Sequence, residues 1–133
     1  MGFLNWQKFS FLWTPDSYVA NSVEAVMNVQ AGHLIGPIIC RTEAAFDGTG
    51  TAAIFELGYG SNVDEFLDAG ELDEETAGNM VRAIGAADGS YDTNKTFLFT
   101  AADTIDVNFT AATGADGTVG SVRIIIYWAR VYP

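Results

Sequence analysis

The segment from Val119 to Tyr132 constrains the fold more than any other part of the chain. It reads VGSVRIIIYWARVY, and its β-branched and aromatic residues fit the pleated surface of a sheet better than the surface of a helix. Strand alternation divides its side chains between two faces: Val122, Ile124, Ile126 and Trp128 on one, and Arg123, Ile125, Tyr127 and Ala129 on the other. At the edge of a sheet, so apolar a strand would pair with other chains and aggregate. The sequence therefore predicts a central strand of an all-β domain.

Shorter segments upstream also have the composition of strands. They are separated by turns rich in Gly, Asn and Asp, and they run Ser22–Gln30, Leu34–Thr42, Ala52–Gly58, Asn79–Ile84, Thr96–Thr100 and Thr104–Thr110. Partial alternation in the first of them places four residues on one face: Val23, Ala25, Met27 and Val29. Gly36-Pro37 predicts a bulge or an edge position in the second. A hairpin-type connection is expected at Ala115–Thr118.

The segment 63–78 is the candidate for helical structure. Asp73 has the character of a helix N-cap, and Gly70 and Gly78 would end the short pieces on either side of it. We therefore expect short helical turns near 63–78 that cross the end of the fold, and a polar loop from Ala86 to Asn94. About seven or eight short strands with Gly-rich turns predict an antiparallel β-sandwich, jelly-roll-like in its architecture.

Residues 1–21 differ from the rest of the chain in their density of large apolar side chains. We divide the chain into an N-terminal arm, residues 1–21, and a β-sandwich domain, residues 22–133. Aromatic anchors of this kind bind partner subunits, and the candidate partner-binding residues of the arm are Phe3, Leu4, Trp6, Phe9, Phe11, Leu12 and Trp13. The alternative is a first strand that folds onto the chain's own sandwich. Both interpretations stay open at this point.

The charge balance excludes several classes of partner. The 133 residues include 17 acidic and 6 basic side chains, for a net charge of −11. The basic residues are scattered along the sequence, so no basic stripe is expected and direct nucleic-acid binding is disfavoured. An anionic membrane surface would repel the chain, and no apolar run reaches the length of a membrane span. The lone Cys40 is expected to be a buried thiol.

Few residues have a pattern typical of catalysis or metal binding. The acidic cluster from Asp64 to Glu75 suggests a calcium site, but its spacing does not match an EF-hand loop, and a solvated acidic rim is the preferred interpretation. Paired carboxylates would also suit glycoside hydrolysis, although any acidic sequence offers such pairs. His33 lies in a predicted turn and is expected to be a surface residue. We predict no enzymatic activity, no cofactor and no bound metal.

Two phrases within Ala45–Val131 resemble small virion proteins of tailed bacteriophages. They are FDGTGTAAIFELGYGSNVDEFLDAGELDEETAG and ADTIDVNFTAATGADGTVGSVRIIIYWARV. The similar features are a strand ending in a G-x-G step, an acidic D-x-F-L turn, the strand A-D-T-I-D-V and a long aliphatic closing strand. The arm is not covered by this resemblance.

The resemblance implies a capsid decoration (cement) protein that lies on the outer surface of the virion. It implies two partners, the major capsid protein and further copies of this chain in a homo-oligomer, with a trimer expected. The alternative is a tail or head fibre component, or a carbohydrate-binding sandwich that attaches to a host surface. A carbohydrate site would need exposed aromatic side chains in a groove, for which the candidates are Tyr59, Tyr91 and Tyr127.

Overall fold

The computed structural model describes residues 4–15, 21–47, 53–60, 62–87, 89–112 and 119–131. Within these ranges the chain forms nine strands and one short helix. In chain order they are β1 (Gln7–Trp13), β2 (Asn21–Val29), β3 (His33–Ala44), β4 (Ile54–Tyr59), β5 (Asn62–Leu67), β6 (Met80–Arg82), α1 (Ser90–Asn94), β7 (Phe97–Leu98), β8 (Asp103–Thr110) and β9 (Ser121–Arg130). None of the helical residues in the described part forms a segment long and apolar enough to cross a membrane.

The strands form two antiparallel sheets whose pairing is nested. One sheet has five strands in the order β1-β9-β3-β6, with β7 also paired to β3, and the other has four in the order β2-β8-β4-β5. Thus the first strand pairs with the last, β2 pairs with β8, β3 pairs with β6 and β7, and β4 pairs with β5. A long hairpin rolled up in this way is a jelly roll. The predicted all-β sandwich is confirmed.

The central position predicted for the closing strand is also confirmed. β9 lies between β1 and β3 and pairs with both along most of its length. Its side chains Val122, Ile124 and Ile126 are fully buried against the opposite sheet. Strand β3 bulges at Gly36-Pro37, where its register with β9 shifts between Ile35 and Ile38, as the sequence indicated.

The core between the sheets contains two groups of aromatic rings. Near one end, Trp13 packs against Phe46, Phe55 and Phe109 with ring centroids 5.0 to 6.1 Å away. Near the other, the rings that pack together are Tyr59, Phe66, Tyr91, Phe97 and Phe99. Aliphatic side chains of β3, β8 and β9 are buried in the same core. Cys40 is among the fully buried residues, and burial raises the pKa of its thiol, as expected for an inert apolar side chain.

The helical expectation for 63–78 is wrong at its beginning. Asn62–Leu67 is strand β5, because Phe66 and Leu67 are both fully buried and Leu67 pairs with Leu57 of β4. Tertiary packing here overrides local preference. The rest of the segment forms turns without a helix. The helix in the described chain is instead α1, in the predicted polar loop, where Tyr91 is buried.

The sequence predicted that four residues of β2 share one face, and this is correct for only two of them. Met27 and Val29 are buried, but Val23 and Ala25 point outward. The register with β8 shifts between Ala25 and Met27, and a bulge of one residue exchanges the two faces of a strand. The hairpin-type connection expected at Ala115–Thr118 lies outside the described residues.

Candidate partner-binding faces

Part of the predicted arm is a strand of the sandwich. Residues 7–13 pair with β9 in an unbroken register from Gln7↔Trp128 to Trp13↔Val122. This corresponds to the second alternative that the sequence left open for these residues. Several apolar side chains nevertheless stay exposed on or next to β1: Leu4 (41%), Trp6 (43%), Phe11 (38%) and Leu12 (42%). Phe3 lies outside the described residues, so the partner-binding role of the arm stays a prediction.

The two remaining arm residues face the interior. Trp13 is only 1% exposed, and its indole Nε1 donates a 3.0 Å hydrogen bond to Glu24 Oε2 on β2. Phe9 is partly buried against the core and stacks on Phe11 with 6.3 Å between ring centroids. Trp13 therefore joins the two sheets of its own domain.

Four cations point outward from the five-stranded sheet. Arg41 lies between the fully buried Cys40 and Thr42, and Arg123 lies between the fully buried Val122 and Ile124, so strand alternation turns both arginines to solvent. The other two cations, on β1 and β6, are also exposed. Arg41 of β3 lies directly opposite Arg123 of β9, and Arg82 of β6 lies opposite Ile39. Lys8 of β1 lies opposite Tyr127. We call this surface the basic face: Lys8, Arg41, Arg82 and Arg123.

The basic face is bordered by an aromatic depression of about 410 Å³ lined by Trp6, Pro37 and Tyr127. The ring of Trp6 lies against Gly36 at the β3 bulge, where a Cβ atom would stand 2.6 Å from Trp6 Cζ3. A glycine is therefore needed for Trp6 to occupy this position. The basic face is therefore flanked by apolar side chains where it meets the start of β1.

The outer surface of the four-stranded sheet has the opposite charge. Glu56 on β4 and Asp106 on β8 point away from the core, because Phe55, Leu57, Ile105 and Val107 point into it. One carboxylate oxygen from each of Glu56, Asp64 and Asp68 lies within 4.8 Å of the others. We call this surface the acidic face: Glu56, Asp64, Asp68 and Asp106.

The carboxylates of the acidic face influence one another. Burial raises the pKa of Glu56, a 2.8 Å hydrogen bond from Asn108 Nδ2 lowers it, and the nearby negative charges of Asp64 and Asp68 raise it further. Raised carboxyl pKa values are the expected result of unneutralised like charges. Such groups of exposed acidic residues are common without a metal ion, and we assign none here.

Charge is sorted by sheet across the whole sandwich. The strands of the five-stranded sheet carry five of the six cations, Lys8, Arg41, Arg82, Arg123 and Arg130, and one carboxylate, Glu43. The strands of the four-stranded sheet carry no lysine or arginine and six carboxylates, Glu24, Glu56, Asp64, Glu65, Asp103 and Asp106. The expectation that the basic residues are scattered is therefore wrong in space, although they are scattered in sequence.

Three other carboxylates of the acidic cluster accept hydrogen bonds from the chain's own backbone. Glu71 accepts hydrogen bonds from the N–H groups of Asp68, Ile84 and Gly85 at 2.6 to 3.0 Å. Glu65 is 2% exposed and accepts from the Tyr91 N–H at 2.7 Å, and the buried Glu74 accepts from the Phe55 N–H at 2.9 Å. The interpretation of this cluster as a solvated rim is wrong for these three residues.

Of the three tyrosines considered for a carbohydrate site, Tyr91 is packed inside and Tyr59 is half-buried. Tyr91 is 2% exposed and its hydroxyl donates a 2.8 Å hydrogen bond to the Gly36 carbonyl, and Tyr59 packs among phenylalanine rings. Tyr127 alone of the three borders the aromatic depression.

His33 is buried, although a surface position was expected. Its Nδ1 accepts a hydrogen bond from the Gln30 N–H, and its ring packs on Trp128 at 4.7 Å. Burial, followed by the nearby charge of Arg130, lowers the pKa of His33. The hydrogen bond from Gln30 to His33 thus closes the turn between β2 and β3.

The sequence matches no family model and no curated protein. The fold is similar to chains in three phage capsid structures. These are the capsid asymmetric unit of cyanophage Pam1 (TM-score 0.64, 14% identity, 98% of this chain and 89% of that chain), the acidic stable capsid of Helicobacter pylori bacteriophage KHP30 (0.59, 10%, 96% and 95%) and the capsid of Ralstonia phage GP4 (0.59, 16%, 99% and 87%). Since each match spans nearly all of both chains, the shared unit is the whole jelly roll.

Proposed function

We propose that this chain is a structural protein of a tailed-phage virion, which decorates the outer shell and stabilises it by binding the major capsid protein and neighbouring copies. The observation that carries this proposal is the fold similarity to chains of three phage capsids, which extends over 96 to 99% of this chain. The net charge of −11 supports a position on the outside of the shell, because a strongly acidic surface facing packaged DNA would be repelled.

The proposed contact with the shell uses the exposed apolar side chains around β1. Leu4, Trp6, Phe11 and Leu12 are each about two-fifths exposed in the free domain. Full burial of such a side chain contributes roughly 1.5–3 kcal/mol, so the two-fifths that is still exposed can contribute about 1 kcal/mol in an interface before ordering costs. Repeated over many copies on one particle, contacts of this size are sufficient for stable attachment.

A non-enzymatic role is part of the proposal. The histidine that would be the natural general base is buried and bonded to the Gln30 backbone, and three carboxylates of the acidic cluster bind backbone N–H groups. These groups have structural partners in the fold. They support an interpretation of the chain as a protein that binds and assembles.

The test uses virions of the phage whose genome carries this chain. We expect mass spectrometry of purified particles to detect the protein, and antibody labelling to reach it on intact particles. Leu12→Ser is expected to lower the number of copies per particle by about tenfold, the equivalent of ~1.4 kcal/mol. Leu98→Ser is a matched control, because Leu98 is 47% exposed but lies on β7, away from β1.

Three results would contradict the proposal. The first is the absence of the protein from particles, and the second is labelling that requires the shell to be broken. The third is equal incorporation of Leu12→Ser and Leu98→Ser when both variants melt at the temperature of the parent, which would remove β1 from the contact.

A host-attachment role is a second candidate, supported by the aromatic depression beside β9. Trp6, Pro37 and Tyr127 line it, a composition suited to an apolar ligand face. Binding on a glycan array that is lost in Tyr127→Ala and kept in Tyr59→Phe would favour this role. An array without any signal would argue against it.

A further inference from the structure

We propose that the basic face of one copy docks on the acidic face of a second copy, so that copies of the chain associate front to back. The two faces lie on the outer surfaces of opposite sheets of the same sandwich, and they have opposite charge. As an account of how neighbouring copies meet on a particle, the inference rests on the proposed function. Its test uses the free protein in solution, so that the two can fail separately.

The basic face lacks sufficient counter-charge within its own domain. Arg41 and Arg123 are direct cross-strand partners, and like charges in that position destabilise a sheet. The described structure gives the face one ion pair, Arg41 to Glu43 at 3.4 Å between well-exposed side chains. An exposed pair of this kind contributes little, and an external carboxylate would relieve the repulsion.

The acidic face has the complementary excess. Glu56, Asp64 and Asp68 bring carboxylate oxygens within 4.8 Å of one another, and no strand of their sheet carries a cation. Exposed apolar side chains stand on both surfaces, for example Met80 next to the basic face and Val23 on the four-stranded sheet. Docked surfaces of this composition would combine charge neutralisation with apolar burial.

Charge complementarity favours a second copy over a nucleic acid as the occupant. A polyanion long enough to cover the four cations would extend over the strongly acidic remainder of a chain with net charge −11. A second copy presents its carboxylates as a local patch and turns the rest of its acidic surface away. At physiological salt the repulsion between the two net charges is screened beyond about 8 Å, so that contacts at the interface decide the association.

The proposed contact is heterologous, since it joins two different surfaces. It therefore builds a closed ring or an open row of copies, and it does not by itself build a two-fold dimer. Because the two faces lie on opposite sides of the sandwich, front-to-back docking favours an open row, and it does not by itself account for the trimer expected from the family resemblance.

The experiment uses two variants with complementary charge reversals. Arg41→Glu with Arg123→Glu removes the net positive charge of the basic face, and Asp64→Lys with Asp106→Lys removes the net negative charge of the acidic face. The control is Arg130→Glu with Gln30→Glu and Ala101→Asp, which changes the net charge as much as the first variant does but lies outside both faces, at the end of β9 and in the exposed turns before β3 and β8. Each protein is studied by sedimentation velocity in 0.15 M NaCl with EDTA, after circular dichroism has shown that it is folded.

We expect the parent chain and the control to associate, and each face variant to lose association by tenfold or more. An equimolar mixture of the two face variants should associate again. Because only the unchanged acidic face of the first variant and the unchanged basic face of the second variant are then complementary, the restored complexes should be pairs, in contrast to the longer rows of the parent chain.

Four results would overturn the inference. They are a parent chain that stays monomeric at 100 µM, a control that dissociates as far as the basic-face variant, a mixture that stays monomeric, and binding of a labelled DNA oligonucleotide that Arg41→Glu with Arg123→Glu abolishes. A monomeric parent that still labels intact virions would overturn this inference and leave the proposed function in place.

Discussion

The acidic stretch from Asp64 to Glu75 contains two groups of carboxylates with different surroundings. The inward group, Glu65, Glu71 and Glu74, accepts hydrogen bonds from backbone N–H groups. The outward group consists of Asp64 and Asp68, which lie with Glu56 on the acidic face, and of the exposed Asp73 and Glu75. An acidic run in a sequence therefore does not by itself predict an acidic surface. In this protein about half of the run holds loops together, and only the outward half is available to a partner.

The largest expected effect comes from Glu71→Ala. Glu71 accepts three backbone hydrogen bonds, including those of Ile84 and Gly85 after β6, and its removal leaves all three donors without this partner. We expect the free energy of unfolding to fall by about 3 kcal/mol, measured by urea denaturation. Glu75→Ala is the control, because Glu75 is exposed, and it should change stability by less than about 0.5 kcal/mol. Equal effects would abolish the distinction between the two groups.

Glu65→Ala should have the next largest effect. Glu65 holds the first turn of α1 through the Tyr91 N–H and also accepts a 2.6 Å hydrogen bond from Asn62 Nδ2. We expect a loss of about 2 kcal/mol and faster hydrogen exchange of the Tyr91 amide. Glu65→Gln keeps an acceptor oxygen and should recover part of the loss. Unchanged exchange at Tyr91 would show that α1 does not depend on this carboxylate.

Glu74 offers a test by pH. Burial raises its pKa above the ordinary value of 4.5, although hydrogen bonds from its own N–H and that of Phe55 lower it in part. Because the folded state then binds the proton more tightly than the unfolded state, this group's stabilising contribution is present below pH 4.5 and is lost as the pH rises through the folded-state pKa. We therefore expect Glu74→Gln to gain stability relative to the parent as the pH rises above 4.5, measured by thermal melts. Parallel pH profiles would contradict this expectation.

Asp64→Asn should have the smallest effect on stability, within about 0.5 kcal/mol of the parent. Its consequence should instead be seen at Glu56, whose pKa the Asp64 charge raises. We expect that pKa to move down toward its ordinary value, measured by NMR titration of the Glu56 carboxyl carbon. A Glu56 pKa that does not respond would show that the carboxylates of the acidic face do not interact.

The strands that matter most for the fold could be predicted from the sequence. The alternation in Thr104–Thr110 puts Ile105, Val107 and Phe109 on one face, and all three are buried in the core. The composition of β9 correctly indicates a central strand. The errors occur where pairing between segments distant in sequence determines the local structure. β5 pairs with β4, and the faces of β2 are exchanged at a bulge in its pairing with β8.

The two charged faces could not be predicted in the same way. Arg41 and Arg123 are far apart in sequence and become neighbours because β3 pairs with β9. A signal was nevertheless present, because the segments that become β2, β4, β5 and β8 contain no lysine or arginine. It becomes meaningful only when the strand order shows that these four segments form one sheet.

The nested strand pairing has a consequence for biosynthesis. β1 leaves the ribosome about a hundred residues before β9, the strand with which it pairs. The interval between β2 and its partner β8 is almost as long. Neither sheet can close until translation of the chain is nearly finished, and folds with such distant pairings fold slowly. During this interval Trp13, Phe9 and Phe11 are exposed on a nascent chain. Phe11, which we connect with the shell contact, and the core residues Phe9 and Trp13 therefore make the unfinished chain prone to aggregation.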